Sequence, residues 1–255
     1  MSEVVRVDRH GRVAVVRLDD PAHRNALSTA LNDGVVDAFE TLGADDGVHA
    51  IVLTATAPVF CAGGYLPDLV AEDRPPLRRS YRAFEHVADC PVPVVAAVTG
   101  PAIGAGINLV LATDVAVAAT GATLDVRFLD VGIHPGGGFS AQLQRAVGSR
   151  RAAALILLAG SLSAPEALAA GLVHAVADDA EAHAIVLAER IAARPRPLLV
   201  RTKATLRHNL WATSEGEAFE HELDAQAWSM AQPEFVATVQ RIRARLAGPA
   251  PTDPT

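Results

Sequence analysis

The chain has 255 residues, half of them hydrophobic and only 4% aromatic, and carries a formal net charge of −7. This length suffices for one large core-forming domain, alone or with an appendage, and the acidic balance argues against nucleic acid or an anionic membrane surface as the main partner. Cys61 and Cys90 are the only cysteines, too few for a disulfide framework or clustered zinc ligation; with neither a signal-like apolar stretch at the N-terminus nor an uncharged run of membrane-spanning length, a reducing cytoplasm is the expected location, without membrane insertion.

Val4–Val7 and Val13–Leu18 alternate around Arg9-His10-Gly11, which predicts a β-hairpin. Asp20-Pro21 ends it, and Ser28 is placed to cap a helix running to about Leu42. Ala50–Thr54 reads as a short buried strand, followed by a loop over Ala57–Pro67 that contains Ala62-Gly63-Gly64. Residues 68–79 are charged and Pro-rich, the pattern of a flap, and Tyr81–Ala88 reads as helix. Val94–Val98 and Val115–Ala119 are expected strands on either side of a Gly104–Thr113 helix. Strands alternating with helices indicate an α/β fold with parallel pairing. Gly132–Gly138 forms a second Gly-rich bend, with a helix from about Phe139. Beyond Arg150 the pattern is mostly helical: a short helix from Ser163 or Ala164, an extended piece over Val173–Val176, then helices over Asp179–Ala193, Leu198–Asn209, Glu217–Met230 and Glu234–Leu246, before a loose tail.

The stretch Pro91–Asp114 carries the strongest chemical signal. An apolar strand enters a Gly-rich bend and a helix leaves it, so unpaired N–H groups at the helix start face one point. Phe60-Cys61-Ala62-Gly63-Gly64 makes a similar bend after an earlier strand. Small residues permit close approach, and two converging N–H donors would form an oxyanion hole, each worth about 3–4 kcal/mol to an enolate or tetrahedral intermediate. The alternative is a pair of tight turns whose small residues serve packing. Gly104-Ala105-Gly106 lacks the third glycine of a dinucleotide fingerprint, His221-Glu222 does not continue into a zinc motif, Ser140 lacks the glycines of a nucleophile elbow, and the nine histidines lack metal-ligand spacing. No metal and no cofactor is expected.

Taken together and in this order, Arg24-Asn25-Ala26-Leu27, Phe60–Gly64, Pro93–Asp114, Gly132–Gly138 and Leu162–Val176 resemble the crotonase, or enoyl-CoA hydratase/isomerase, superfamily over nearly the whole chain. The resemblance implies a spiral of ββα units over residues 1–195 that binds acyl-CoA. Residues 196–255 would form a helical region that covers the site and makes a homotrimer or a hexamer of two trimers. It implies a coenzyme A thioester as ligand in fatty acid metabolism, with the N–H groups of Gly64 and Ala105 on the thioester oxygen. Backbone near Ala62 and Gly63, together with Ala26, would meet CoA, and Arg24 stands where the family often has a basic residue near the CoA phosphates. Tyr65 and Phe128 would line the acyl pocket, as would residues 68–88.

The same match places Asn108 and Phe128 where hydratases carry their two glutamates. Asn108 does not titrate, so standard two-glutamate hydration is not expected. Two other groups are candidates for acid/base work. Asp130 would face the same side as Phe128 if 128–130 were extended, and His134, beside the second Gly-rich bend, titrates near neutral pH. With one base, isomerisation fits better than hydration; decarboxylation and C–C cleavage stay open. The alternative from another class is a non-catalytic acyl-CoA binding protein.

Overall fold

The computed structural model describes residues 3–70 and 77–246; the middle of the expected flap and the tail after Leu246 lie outside the described residues. In chain order the elements are β1 (Val5–His10), β2 (Val13–Leu18), α1 (Thr29–Ala44), β3 (Ala50–Ala55), α2 (Leu66–Val70), α3 (Leu77–Ser80), α4 (Arg82–Asp89), β4 (Val94–Val98), β5 (Ala102–Ile103), α5 (Ala105–Leu111), β6 (Val115–Ala119), β7 (Thr123–Asp125), α6 (Phe139–Val147), α7 (Ser149–Leu157), β8 (Ser161–Ser163), α8 (Ala164–Ala169), β9 (Ala175–Ala177), α9 (Ala180–Ala192), α10 (Arg196–Asn209), α11 (Glu215–Met230) and α12 (Pro233–Leu246).

The principal sheet has the order β1-β2-β3-β4-β6-β9. Its first pair is the antiparallel hairpin, turning at Gly11 with φ +59°; every later pairing is parallel. β3 and β4 are buried along their whole length, which explains why they read as unbroken apolar runs rather than alternating ones. One sheet face packs on Ala180, Ala184, Ala188 and Ala192 of α9. Four-residue spacing puts these alanines in one stripe, and their small side chains let the helix approach Val13, Val15, Val52, Val95 and Val117 closely. Ser28 caps α1, its Oγ accepting from Leu31 N at 3.2 Å.

A second sheet, β5-β7-β8, was not legible, because two- and three-residue strands are shorter than the period needed to recognise them. Two expectations shift. The loop expected through Pro67 ends in the helical turn α2, and α3 replaces the last part of the expected flap. The extended piece expected over Val173–Val176 is β9 at Ala175–Ala177.

The chain divides after Leu199 into two compact units. In the second, Ser214 Oγ caps α11 by accepting from Glu217 N at 3.1 Å, Arg201 lies 4.9 Å from the centre of the Trp228 ring, and the His208 and His221 rings stack with centroids 4.0 Å apart.

Candidate active site

The two Gly-rich bends meet. Phe60 N and Cys61 N both donate to Pro101 O, at 3.1 and 3.3 Å, and Ile103 N donates to Cys61 O at 2.9 Å. The approach is too close for side chains. A Cβ on Gly106 would lie 2.4 Å from Cys61 O, and one on Gly63, whose φ is +93°, would lie 2.8 Å from Ile103 O and 3.5 Å from Ala105 N. The first bend is held from its other side by the Arg24–Leu27 segment. Leu27 N donates to Gly63 O at 2.7 Å and Ala62 N to Arg24 O at 3.1 Å. Buried Asn25 ties this segment down: its Nδ2 donates to Thr56 O and Val59 O, at 2.9 and 2.7 Å, and its Oδ1 accepts from Asp20 N at 2.8 Å. Among the described residues, the N–H groups of Gly64 and Ala105 donate to no protein acceptor. Ala105 opens α5, where the helix leaves its first N–H groups unpaired and partially positive.

These two groups stand at a cavity of about 550 Å³. Arg24, Ala26, Ala62, Gly63, Gly64, Tyr65, Ala105, Asn108, Phe128 and His134 all line it. Asp130 does not, and the expectation built on an extended 128–130 segment is corrected. Leu129–Val131 is a 3₁₀ turn entered from Phe128 at φ −59°, ψ −46°. With three residues per turn, side chains two apart point about 120° apart, so Asp130 is turned out to solvent while Phe128 faces inward.

Asn108, 1% exposed, is committed to the backbone. Its Nδ2 donates to Gly136 O at 3.1 Å and Gly137 O at 3.3 Å, fastening α5 to the Gly132–Gly138 bend. Phe128 packs edge-on against Phe139 at 4.8 Å. The carboxylates that line the cavity are also engaged: Asp33 pairs with Arg79 at 2.8 Å, and Asp68 accepts from Thr29 N and Oγ1 at 2.9 and 3.2 Å. His134 Nδ1 lies 2.7 Å from Pro135 O. A carbonyl only accepts, so Nδ1 is the donor in this contact, and Nε2 is the ring nitrogen not used by it. Burial pushes the Cys61 thiol up to about 12, so it stays neutral and is no nucleophile.

Tyr81 lines the cavity from within the 68–88 segment expected there, but the contact it makes was not expected. Tyr81 precedes α4, and its hydroxyl sits so close to Gly136 that a Cβ there would lie 2.1 Å away. Its partner is 55 positions distant, so no local pattern signals the contact. Among the described residues no group of three or more His, Cys, Asp or Glu is placed to hold a metal ion, and no helix is long and apolar enough to cross a membrane.

The family model for enoyl-CoA hydratase/isomerase matches residues 8–241. The chain is 39% identical over 251 residues to the "probable enoyl-CoA hydratase EchA14" of Mycobacterium tuberculosis H37Rv, covering 95% of this chain and 97% of that protein. It is 35% identical over 219 residues to the 2,3-dehydroadipyl-CoA hydratase of Escherichia coli K12, covering 82% and 83% respectively. The crystal structure of an enoyl-CoA hydratase from Bacillus anthracis superimposes with a TM-score of 0.90 at 26% identity, over 95% of this chain and 97% of that one. With this fold and these matches, the chain belongs to the enoyl-CoA hydratase/isomerase, or crotonase, family.

Proposed function

We propose that the protein binds an acyl-CoA thioester and stabilises the enolate form of its acyl group, in fatty acid and CoA-thioester metabolism. The observation that carries this reading is the pair of uncommitted N–H groups, Gly64 and Ala105, brought to one cavity by bends that tolerate no side chain at Gly63 or Gly106. A thioester oxygen between them gains two donors as charge develops on it. The backbone of Ala62 and Gly63, with Ala26 and the exposed Arg24, faces the CoA moiety, and Tyr65 and Phe128 wall the acyl group.

The acid/base chemistry departs from a two-carboxylate arrangement, because Asn108 and Phe128 carry no proton to exchange. The His134 imidazole supplies one base. In a 3-enoyl thioester its Nε2 takes a proton from carbon 2. The C–H electron pair spreads into the dienolate, whose oxygen rests on the two N–H groups, and the imidazolium returns the proton to carbon 4. The double bond moves to carbon 2 with nothing gained or lost, so isomerisation is favoured over hydration. The second reading, a non-catalytic acyl-CoA binder, is favoured by the same engaged Asn108, Asp33 and Asp68. Exposed Phe219, Leu223, Phe235, Val236 and Ile242 on α11 and α12 fit burial against further copies in a homotrimer or hexamer.

The deciding experiment incubates the protein with saturated, 2-enoyl, 3-enoyl and carboxylated acyl-CoAs in heavy-oxygen water and weighs the products. A mass-neutral shift of 3-enoyl to 2-enoyl thioester is the expected result. Heavy oxygen in the product would establish hydration instead. Tight binding with no change in any thioester would establish the binder.

A further inference from the structure

The hydroxyl of Tyr81 is held in place and, among the described residues, has no hydrogen-bond partner. Asn32, 3% exposed, grips the chain on both sides of it, its Nδ2 donating to Ser80 O at 2.6 Å and its Oδ1 accepting from Ala83 N at 3.3 Å. The Tyr81 ring stacks on Phe84 with centroids 6.0 Å apart. The hydroxyl rests against Gly136, where only the absence of a side chain admits it. Most other polar side chains of the cavity are committed, Asp33 to Arg79, Asp68 to Thr29, His23 to Asp20 and Asn108 to Gly136 and Gly137. Among the described residues the Tyr81 hydroxyl makes no hydrogen bond, although Phe84 and Phe128 give the cavity an apolar wall.

Its position along a bound ligand follows from α5. Asn108 stands three residues after Ala105, about 5 Å along the same helix face. The carbonyl of Gly136 accepts from Asn108, and the Tyr81 hydroxyl touches the same glycine. If the CoA end lies on Ala26, Ala62 and Gly63 as proposed above, a thioester oxygen on Ala105 N–H directs carbons 2 and 3 of the acyl group along α5 towards Asn108 and Tyr81. We infer that Tyr81 is a specificity-determining residue: its hydroxyl hydrogen-bonds an oxygen carried on carbon 3, so that the site binds a 3-oxygenated acyl thioester more tightly than its saturated hydrocarbon counterpart. A polar group set in an apolar wall discriminates strongly, because a ligand lacking the matching atom leaves it unpaired. This inference rests on the acyl-CoA reading above.

The test is calorimetric titration with 3-oxobutyryl-CoA and butyryl-CoA, which differ at carbon 3 alone. The wild type is expected to prefer the 3-oxo ligand by at least ~10-fold, and Tyr81→Phe, which keeps the ring on Phe84, to lower that ratio by ~10-fold while leaving butyryl-CoA affinity within ~3-fold. Gly136→Ala, whose methyl group displaces the hydroxyl, should lower the ratio likewise. A ratio unchanged in Tyr81→Phe overturns the inference and leaves the acyl-CoA reading intact. A wild type that binds neither thioester overturns both.

Discussion

Along the Gly63–Gly64 and Gly104–Gly106 bends the cavity is lined by backbone; across it, from Tyr81 to Phe84 and from Phe128 to Gly136, it is lined by side chains. On the backbone side the hydrogen bonds within and between the bends leave the Gly64 and Ala105 N–H groups without a protein acceptor among the described residues, beside turns that admit no side chain at Gly63 or Gly106. On the side-chain wall the polar groups are largely spent on structure: Asn108 ties two segments together, and Phe128 is packed on Phe139. On the proposed reading, oxyanion stabilisation needs only peptide groups and small residues, and no titratable side chain. Proton transfer needs particular side chains, so the wall decides which reaction, if any, follows binding.

The largest expected effect tests the backbone side. Gly106→Ala places a methyl group 2.4 Å from Cys61 O, and overpacking a rigid buried junction should destabilise the fold by about 3 kcal/mol in urea unfolding. A variant as stable as wild type would mean that the two bends are not rigidly joined.

The wall comes next. Asn108→Ala removes the donor shared by two carbonyls, with an expected loss of about 2 kcal/mol. Asn108→Asp sharpens the point, because it sets a carboxylate against the same two carbonyl oxygens. The new carboxyl should have its pKa raised above the unfolded value, so the folded state takes up a proton and its deficit shrinks as pH falls through that raised pKa. Unfolding curves at pH 5 and pH 8 check the sign; a deficit independent of pH would show that the loop simply moves away.

A smaller effect is expected far from the cavity. Arg17 holds the Glu181 carboxyl below its usual range through hydrogen bonds at 2.5 and 2.7 Å, with Thr54 adding a third at 3.0 Å. A lowered folded pKa contributes stability above the unfolded value and loses it as pH falls through the folded one. Glu181→Gln should therefore cost about 1 kcal/mol at pH 7, with the gap to wild type closing below about pH 4. The smallest signal is chemical. With its thiol at about 12, Cys61 should resist iodoacetamide at pH 8 in the folded protein and react once unfolded, as peptide mapping would show.

The hairpin, the buried strands β3, β4 and β6, the capped helix α1 and the two Gly-rich bends were all legible in the sequence. Each is written in contiguous residues: alternation around Gly11, apolar runs, Ser28 before an amphipathic stretch, glycines between strand and helix. The family resemblance was legible for the same reason, since its motifs are local. What depended on distant partners was not legible. That the bends converge depends on Gly106 meeting Cys61 and Gly63 meeting Ile103. Asp130 turns outward because the chain tightens into a 3₁₀ turn after Phe128, which the residue types alone did not distinguish from a strand. Asn108 is engaged, and the Tyr81 hydroxyl has room beside it, only because Gly136 is brought next to both. Local propensity and period determined where the elements lie. Which polar groups keep an open valence was decided in tertiary structure, because a hydrogen bond joins two atoms whose distance along the chain carries no information about their distance in space.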